Sequence, residues 1–463
     1  MRSRIEKFGL LGLGLIAGVL LSLQFSAIAE KANPSPLPVA ELRAFASVFG
    51  RIKSDYVEPV TDKQLITSAI NGMLSGLDPH SAYLDADAFK ELQVGTQGEF
   101  GGLGIEVGME DGLVKVISPI EDTPAYHAGI KTGDLIIKLD DTLVKGMSLN
   151  DAVNRMRGKP GSQIVLTVLR KNEPKPLLFT LTRAVIKVKS VKFKQPEPGY
   201  GYIRITQFQE HTGENLAAAL KTLYKENNGK LHGLVLDLRN DPGGLLTGAV
   251  AVSSAFLPKD SLVVYTDGRT EDSKMHLTAS PDNYLRGDKR DYEKDLPDAV
   301  KTVPMVVLVN GGSASASEIV SGALQDHKRA VIMGTQTFGK GSVQTILPLG
   351  DNTAIKLTTA RYYTPNGRSI QVKGITPDIV VEDPASATQS GEFRLREADL
   401  EHHLINDRLP ADKSGTIRTA PQFKAPKPNE SGKPVITEFG AKNDYQLNQA
   451  LNLLKGMNIL QGK

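Results

Sequence analysis

The sequence predicts a multidomain α/β chain. A helical N-terminal segment comes first, then a small open β-barrel with helices, then an α/β core on a mainly parallel sheet, and last a helical C-terminal tail. Three observations predict it. Apolar residues recur at helical spacing over 40–95, short strands with one or two helices fill 96–185, and strands alternate with helices over 186–381. A length of 463 residues suits about three domains. A hydrophobic share of 40% with 23% charged residues is ordinary globular composition.

The charge balance excludes one class of partner. Lys and Arg number 55 against 52 Asp and Glu, a net +3, which argues against nucleic acid as the main partner. With no cysteine there is no disulfide framework, no Cys nucleophile and no thiolate metal site.

Residues 1–29 read as a signal peptide: Arg2, Arg4 and Lys7, then the apolar Leu10 to Leu21, then Ala27-Ile28-Ala29 before Glu30. An uncleaved anchor is the alternative, since Phe8 to Phe25 nearly reaches the ~18 residues of a membrane span. Either way the chain is exported, to a periplasm, soluble or membrane-associated. Residues 30–39, with Pro34, Pro36 and Pro38, form a linker.

Over 40–95, Leu42, Phe45, Val48, Phe49 and Ile52 mark one helix and Asp62 to Leu77 a second. Asp78-Pro79-His80-Ser81 reads as a turn, with His80 a turn residue before a catalytic one. In 96–185, Gly101-Gly102-Leu103-Gly104-Ile105 opens directly into a strand. Such a loop exposes N–H groups that can hold a peptide's terminal carboxylate while the peptide lies along the strand edge. A plain glycine hairpin is the competing reading.

In the core, buried strands are expected at Leu231–Leu238, Pro304–Val309 and Ala330–Met333, with further strands at Tyr202–Phe208 and Leu262–Tyr265. Helices are expected at Glu214–Asn227, Leu245–Leu257 and Ser315–His327. In parallel sheets the chemistry sits on loops leaving the carboxyl ends of strands, here 240–244 and 310–315. In 382–463 a helix is expected near Phe393–Leu404, with His402-His403 on its solvated surface. A terminal helix, Tyr445 to Met457, carries Leu447, Ala450, Leu451 and Leu454 on one face. A helix that short needs a docking surface, on its own chain or on a second subunit.

Ser315 stands where a strand turns into a helix N-terminus, whose free N–H groups can stabilise an oxyanion. The competing reading is a capping box, Ser315-x-x-Glu318. Gly-x-Ser-x-Gly and His-Glu-x-x-His are both absent from the sequence, and His327 lies at the far end of the helix. Lys340, flanked by glycines, is the better base, and an extended 340–346 puts Gln344 on the same face. A lysine base must be neutral, so burial has to lower its pKa from ~10.4. Gly334-x4-Gly339-Lys340 also approaches a phosphate-binding loop, but Gly341 replaces the required Ser/Thr.

With Thr123-Pro124-Ala125, Ala128-Gly129-Ile130 and Gly133-Asp134-x-Ile136, the 96–185 segment resembles a PDZ domain. Three further stretches carry a wider likeness: Leu236-Asp-Leu-Arg-Asn-Asp-Pro-Gly-Gly244, Asn310-Gly-Gly-Ser-Ala-Ser-Ala-Ser-Glu318 and Gly334-x-x-x-Phe338-Gly-Lys-Gly-x-x-Gln344. Together with Leu77-Asp-Pro-His-Ser81 and Gly374-Ile-Thr-Pro-Asp378, they resemble the C-terminal processing peptidases, or tail-specific proteases. The resemblance implies a crotonase/Clp-like core and a Ser–Lys endopeptidase acting near the C-termini of exported proteins, without metal or cofactor. Ser315 would be the nucleophile, Lys340 the general base and Gln344 its orienting residue. Ala316 and either Gly243 or Gly244 would form the oxyanion hole. Gly102, Leu103, Gly104 and Ile105 would receive the substrate's carboxylate, and Arg157 would couple PDZ occupancy to activation. Protein tails are the implied partners; an adaptor protein and a homo-oligomer through the terminal helices stay open. The alternative is a non-catalytic PDZ peptide-binding scaffold.

Overall fold

Gly233–Asp237 and Met305–Val309 are buried at every residue, which suits only strands covered on both faces of a sheet. The computed structural model describes residues 37–382, 396–408 and 440–462, apart from 111, 121, 148, 172, 188, 288–289, 442 and 461. In it both strands lie at the centre of a sheet ordered Val191–Glu197, Tyr200–Ile205, Gly233–Asp237, Met305–Val309, Val331–Gly334, Ile379–Val380. The first pairing is antiparallel and the rest are parallel.

Helices Thr212–Glu226, Leu246–Phe256 and Ala316–Asp326 cover one face and share the main core with it. The terminal helix Tyr445–Leu460 covers the other. Its Leu447, Ala450, Leu451 and Leu454 pack on Tyr202, Val235, Val306 and Leu308. Its apolar face is therefore buried on its own chain.

A second sheet is antiparallel. Ala354–Tyr363 pairs with Ser342–Pro348, Leu262–Gly268 and Ala82–Leu84, and His276–Thr278 flanks Leu262–Gly268. Here the structure departs from the sequence reading. Leu262–Gly268 is not part of the parallel set, and Ala82–Leu84 forms a strand where the sequence predicts a helical region broken only by the turn at 78–81. Three residues cannot show a period, and the partner strand lies far along the chain.

Residues 105–182 form the small barrel, in the order Ile105–Glu110, Leu113–Pro119, Leu135–Leu139, Gln163–Leu169, Leu177–Thr182, with helices Pro124–His127 and Leu149–Met156. Val114, Val116, Ile136, Leu166 and Val168 fill it. Ile105–Glu110 is an edge strand, paired only with Leu113–Pro119 among the described residues. Glu99–Gly102 and Ala184–Lys187 pair where the chain enters and leaves.

Among the described residues, those up to Ile70 form a separate unit. It holds helix Val39–Asp55 and the start of Asp62–Ser75, with Lys53 bridging Asp62 at 2.6 Å. The expected signal segment, most of the linker and the start of the expected helix at Phe393 lie outside the described residues. Within 396–408 a single turn of 3₁₀ helix, Glu397–Asp399, replaces the expected helix, and His402 and His403 lie outside it. Glu397, Asn406 and Asp407 instead bond to Gln371 and Tyr363, holding this segment against the rest of the chain. Among the described residues no helix is long and apolar enough to cross a membrane.

Candidate active site

Two loops leave the carboxyl ends of the paired strands Gly233–Asp237 and Met305–Val309. Their asparagines zip them together: Asn240 N–H donates to Asn310 Oδ1, and Asn310 Nδ2 to Asn240 Oδ1, each at 2.9 Å. The Ser313 hydroxyl donates to the Leu238 carbonyl at 2.7 Å. Ser315 follows with φ 55° and ψ −112°, a backbone state that costs a non-glycine residue about 1–3 kcal/mol. The strained residue sits at the sharp turn from the loop into the helix Ala316–Asp326. No glycines flank Ser315, so the sequence gives no sign of it.

Glu318 is fully buried in the first turn of Ala316–Asp326. Its Oε2 accepts the N–H groups of Ser315 at 2.8 Å and Lys340 at 3.0 Å. Its Oε1 accepts the Thr337 hydroxyl at 2.5 Å and the Gly339 N–H at 2.7 Å. Burial pushes its pKa up to about 7 against those bonds. The carboxylate half of the predicted capping box is therefore also the joint between the serine and lysine loops.

Lys340 Nζ donates to Gln344 Oε1 at 2.5 Å; Ser315 Oγ is not among its partners. Gln344 Nε2 donates to Ser342 Oγ at 3.0 Å and Thr358 Oγ1 at 3.2 Å, and the Thr358 hydroxyl to Asp78 Oδ1 at 3.0 Å. Burial brings the lysine pKa down to about 8, helped by Lys356 and opposed by Glu397, Glu318 and Asp78. The buried Tyr362 phenol donates to the Lys340 carbonyl and lies within reach of the Ser315 side chain. Asp78 is no simple turn residue: it also holds the N–H groups of His80 and Ser81, both at 2.9 Å.

Gly243, with φ 98°, packs directly on the serine turn. A Cβ there would stand 2.8 Å from both Ala316 N and Ser315 Cβ. Its N–H donates to Asp241 Oδ1 at 2.8 Å. The N–H groups of Gly244 and Ala316 have no acceptor among the described residues. Burial pushes the Asp241 carboxyl up to about 8. The same loop is anchored by Arg239, which meets Asp237 and Asp444 at 2.7 Å each. Sequence reasoning missed this buried trio; its only signal was the 236–244 motif.

At the mouth of the barrel, the Leu103 carbonyl accepts from Ala125 N–H at 3.0 Å and that of Gly104 from Ile120 N–H at 2.9 Å. Their own N–H groups have no acceptor among the described residues. Gly102 ends the strand before this loop and Ile105 starts the strand after it. The Arg157 guanidinium lies 5.0 Å from the Phe100 ring centroid, and both residues line a cleft of about 420 Å³ with Val153, Gln207 and Gln209.

The model of peptidase family S41 matches residues 199–381, that of the PDZ domain 101–181, and that of the activating protease CtpB N-terminal domain 21–88. A carboxy-terminal-processing protease of Bartonella bacilliformis is 46% identical over 445 residues, 95% of each chain. The carboxy-terminal processing protease CtpB of Bacillus subtilis is 36% identical over 394 residues, 83% of this chain and 78% of that one. Among solved structures, a photosystem II D1 C-terminal processing protease is 31% identical with a TM-score of 0.41, covering 73% of this chain and 86% of that one. The scaffold alternative falls on the full-length identity. This chain belongs to the carboxy-terminal processing proteases of peptidase family S41 and is a serine-type peptidase.

Proposed function

We propose that the protein is an exported Ser–Lys endopeptidase that binds protein C-termini through its PDZ domain and cleaves near them. The observation that carries this reading is the Glu318 carboxylate. It holds the main chains of Ser315 and Lys340 on one oxygen, beside a lysine amine kept largely from water.

Neutral Lys340 takes the Ser315 hydroxyl proton as Oγ attacks the scissile carbonyl. The N–H groups of Ala316 and Gly244 hold the oxyanion; that of Gly243 is committed to Asp241. The lysine ammonium then protonates the leaving amine, and Lys340 activates the water that hydrolyses the acyl-enzyme. With a pKa of about 8, about one lysine in ten is neutral at pH 7, against about one in a few thousand at the ordinary value. Gln344, held in turn by Thr358, orients Nζ.

In the present geometry Nζ holds Gln344 and not Ser315. This supports a resting arrangement, which a tail seated on the PDZ domain shifts towards the active one. The tail's carboxylate meets the free N–H groups of Leu103 and Gly104, and its strand extends the edge Ile105–Glu110. Arg157, over the ring of Phe100 in the Glu99–Gly102 strand, couples tail binding to the peptidase core in this reading. Export rests on the sequence of residues 1–29.

The test is cleavage of an apolar-tailed test protein by the wild type, Ser315→Ala and Lys340→Ala, with products read by mass spectrometry. Cleavage near the C-terminus by the wild type alone is expected. Equal cleavage by all three overturns the dyad.

A further inference from the structure

We propose that the half-buried His80 and the fully buried Glu397 form a positioning pair that holds the lysine loop in register, extending the catalytic unit to the segment 396–408. The proposal rests on the reading of Lys340 as the base.

Glu397 has no exposed surface, although it lies beyond the stretch 199–381 that matches the peptidase family. His80 Nε2 meets its two carboxylate oxygens at 2.8 and 3.1 Å. A carboxylate only accepts, so Nε2 carries a proton. Glu397 Oε1 also accepts from Gln371 Nε2 at 2.8 Å, and Gln371 Oε1 accepts the Gly341 N–H at 2.9 Å. The Glu397 N–H itself donates to the Phe338 carbonyl at 3.2 Å.

The other end of the pair leads to the same lysine. The His80 N–H donates to Asp78 Oδ1, the atom that also accepts the Thr358 hydroxyl, and Thr358 in turn accepts from Gln344. A closed ring of hydrogen bonds therefore runs from Lys340 Nζ through Gln344, Thr358, Asp78, His80, Glu397 and Gln371 to Gly341, the next residue of the chain. Largely enclosed polar rings of this kind fix one arrangement because every broken link strands a partner.

The pair also bears on charge. The groups facing Lys340 are Lys356 on Ala354–Tyr363, Glu318 on Ala316–Asp326, Asp78 on its turn and Glu397. The negative charge of Glu397 favours the ammonium form, so removing it favours the neutral base.

The experiment uses the full chain and a fluorophosphonate probe. The rate of Ser315 modification is followed by mass spectrometry from neutral to alkaline pH, in the wild type, Lys340→Ala, Glu397→Ala, Glu397→Gln and His80→Gln. Glu397→Ala is expected to lower the plateau rate by ~10-fold or more, and Glu397→Gln, which keeps the shape, to recover most of it. Both move the acid limb to lower pH, by ~0.5–1 unit; His80→Gln lowers the plateau. A strap serving only stability leaves the limb in place. If Lys340→Ala abolishes labelling while Glu397→Gln and His80→Gln keep the wild-type plateau and limb, the pair is not a positioning device. If Lys340→Ala labels like the wild type, the reading of the base fails instead. Should Glu397→Ala fail to fold, Glu397→Gln and His80→Gln decide alone.

Discussion

Ser315 and Lys340 share one acceptor: Oε2 of Glu318 takes both of their main-chain N–H groups, at 2.8 and 3.0 Å. The spacing of the serine and lysine loops is thus set by a third residue, whatever the side chains do. A glutamine at 318 has the same shape but only one acceptor oxygen, so its NH₂ group must face some of the four donors.

Glu318→Gln is therefore expected to lose activity and stability together. A displacement of the base by about 1 Å costs roughly 100-fold in kcat. Buried donors left unpaired cost about 1–3 kcal/mol each. Steady-state kinetics and thermal unfolding on the same preparation check both. A wild-type kcat in this variant would show that the loops are held without the shared carboxylate.

The lysine gives the pH dependence. Its pKa is about 8 in the folded chain, below the ordinary 10.5, and the proposed base is its neutral form, so activity is expected to rise with pH through about 8. The stability linkage has a definite sign. The unfolded chain binds the extra proton between 8 and 10.5, so the favourable contribution is full above 10.5 and is lost as pH falls through 8. At pH 7 the enclosed ammonium costs roughly 3 kcal/mol at most. Lys340→Met should be inactive yet more stable than the wild type at pH 7, with the gain shrinking as pH rises. A gain independent of pH between 7 and 10.5 would contradict the lowered pKa.

Much of this was legible in the residues. The apolar runs Leu231–Leu238 and Pro304–Val309 read as buried strands, and strands Gly233–Asp237 and Met305–Val309 lie at the centre of the sheet. The apolar face of the terminal helix, Leu447 to Leu454, is the face that docks. Lys340 and Gln344 meet as their spacing suggests, despite the bulge between Val343 and Gln344. What was not legible has a common cause. Ala82–Leu84 pairing with Ala354–Tyr363, the Thr337, Gly339 and Lys340 donors of Glu318, and the reach of Arg239 to Asp444 all join residues that are not neighbours in sequence, where periodicity carries no information. The strained φ of Ser315 is enforced by the loops around it and leaves no mark on composition.

Arg239 carries the next prediction. It bridges Asp237, at the end of a central strand, to Asp444, at the start of the terminal helix, and it immediately precedes the 240–244 loop. The guanidinium holds the Asp237 carboxyl below its usual range, although burial works the other way. Arg239→Met strands two buried carboxylates, a loss of about 3–5 kcal/mol. Hydrogen exchange should speed up across Tyr445–Leu460, and activity should fall because the 240–244 loop, proposed to carry an oxyanion donor, loses its anchor. Unchanged protection of that helix would mean its apolar face alone suffices.

Under the proposed function, a change at Gly104 separates tail binding from chemistry. Its φ is 77°, and a Cβ there would stand 2.2 Å from Thr123 Cβ, so any side chain forces the Leu103–Ile105 loop to move. The two free N–H groups then no longer converge on a carboxylate. Gly104→Ala is expected to weaken binding of an apolar-tailed peptide by roughly tenfold or more, about 1.4 kcal/mol, as read by fluorescence polarisation. Modification of Ser315 by a fluorophosphonate in the absence of peptide should stay at the wild-type rate, because the serine and lysine loops do not touch this glycine. Amidation of the peptide's C-terminus should weaken wild-type binding to a similar degree and add little in the variant. Equal affinity for the free acid and the amide would move the recognition of the tail away from this loop.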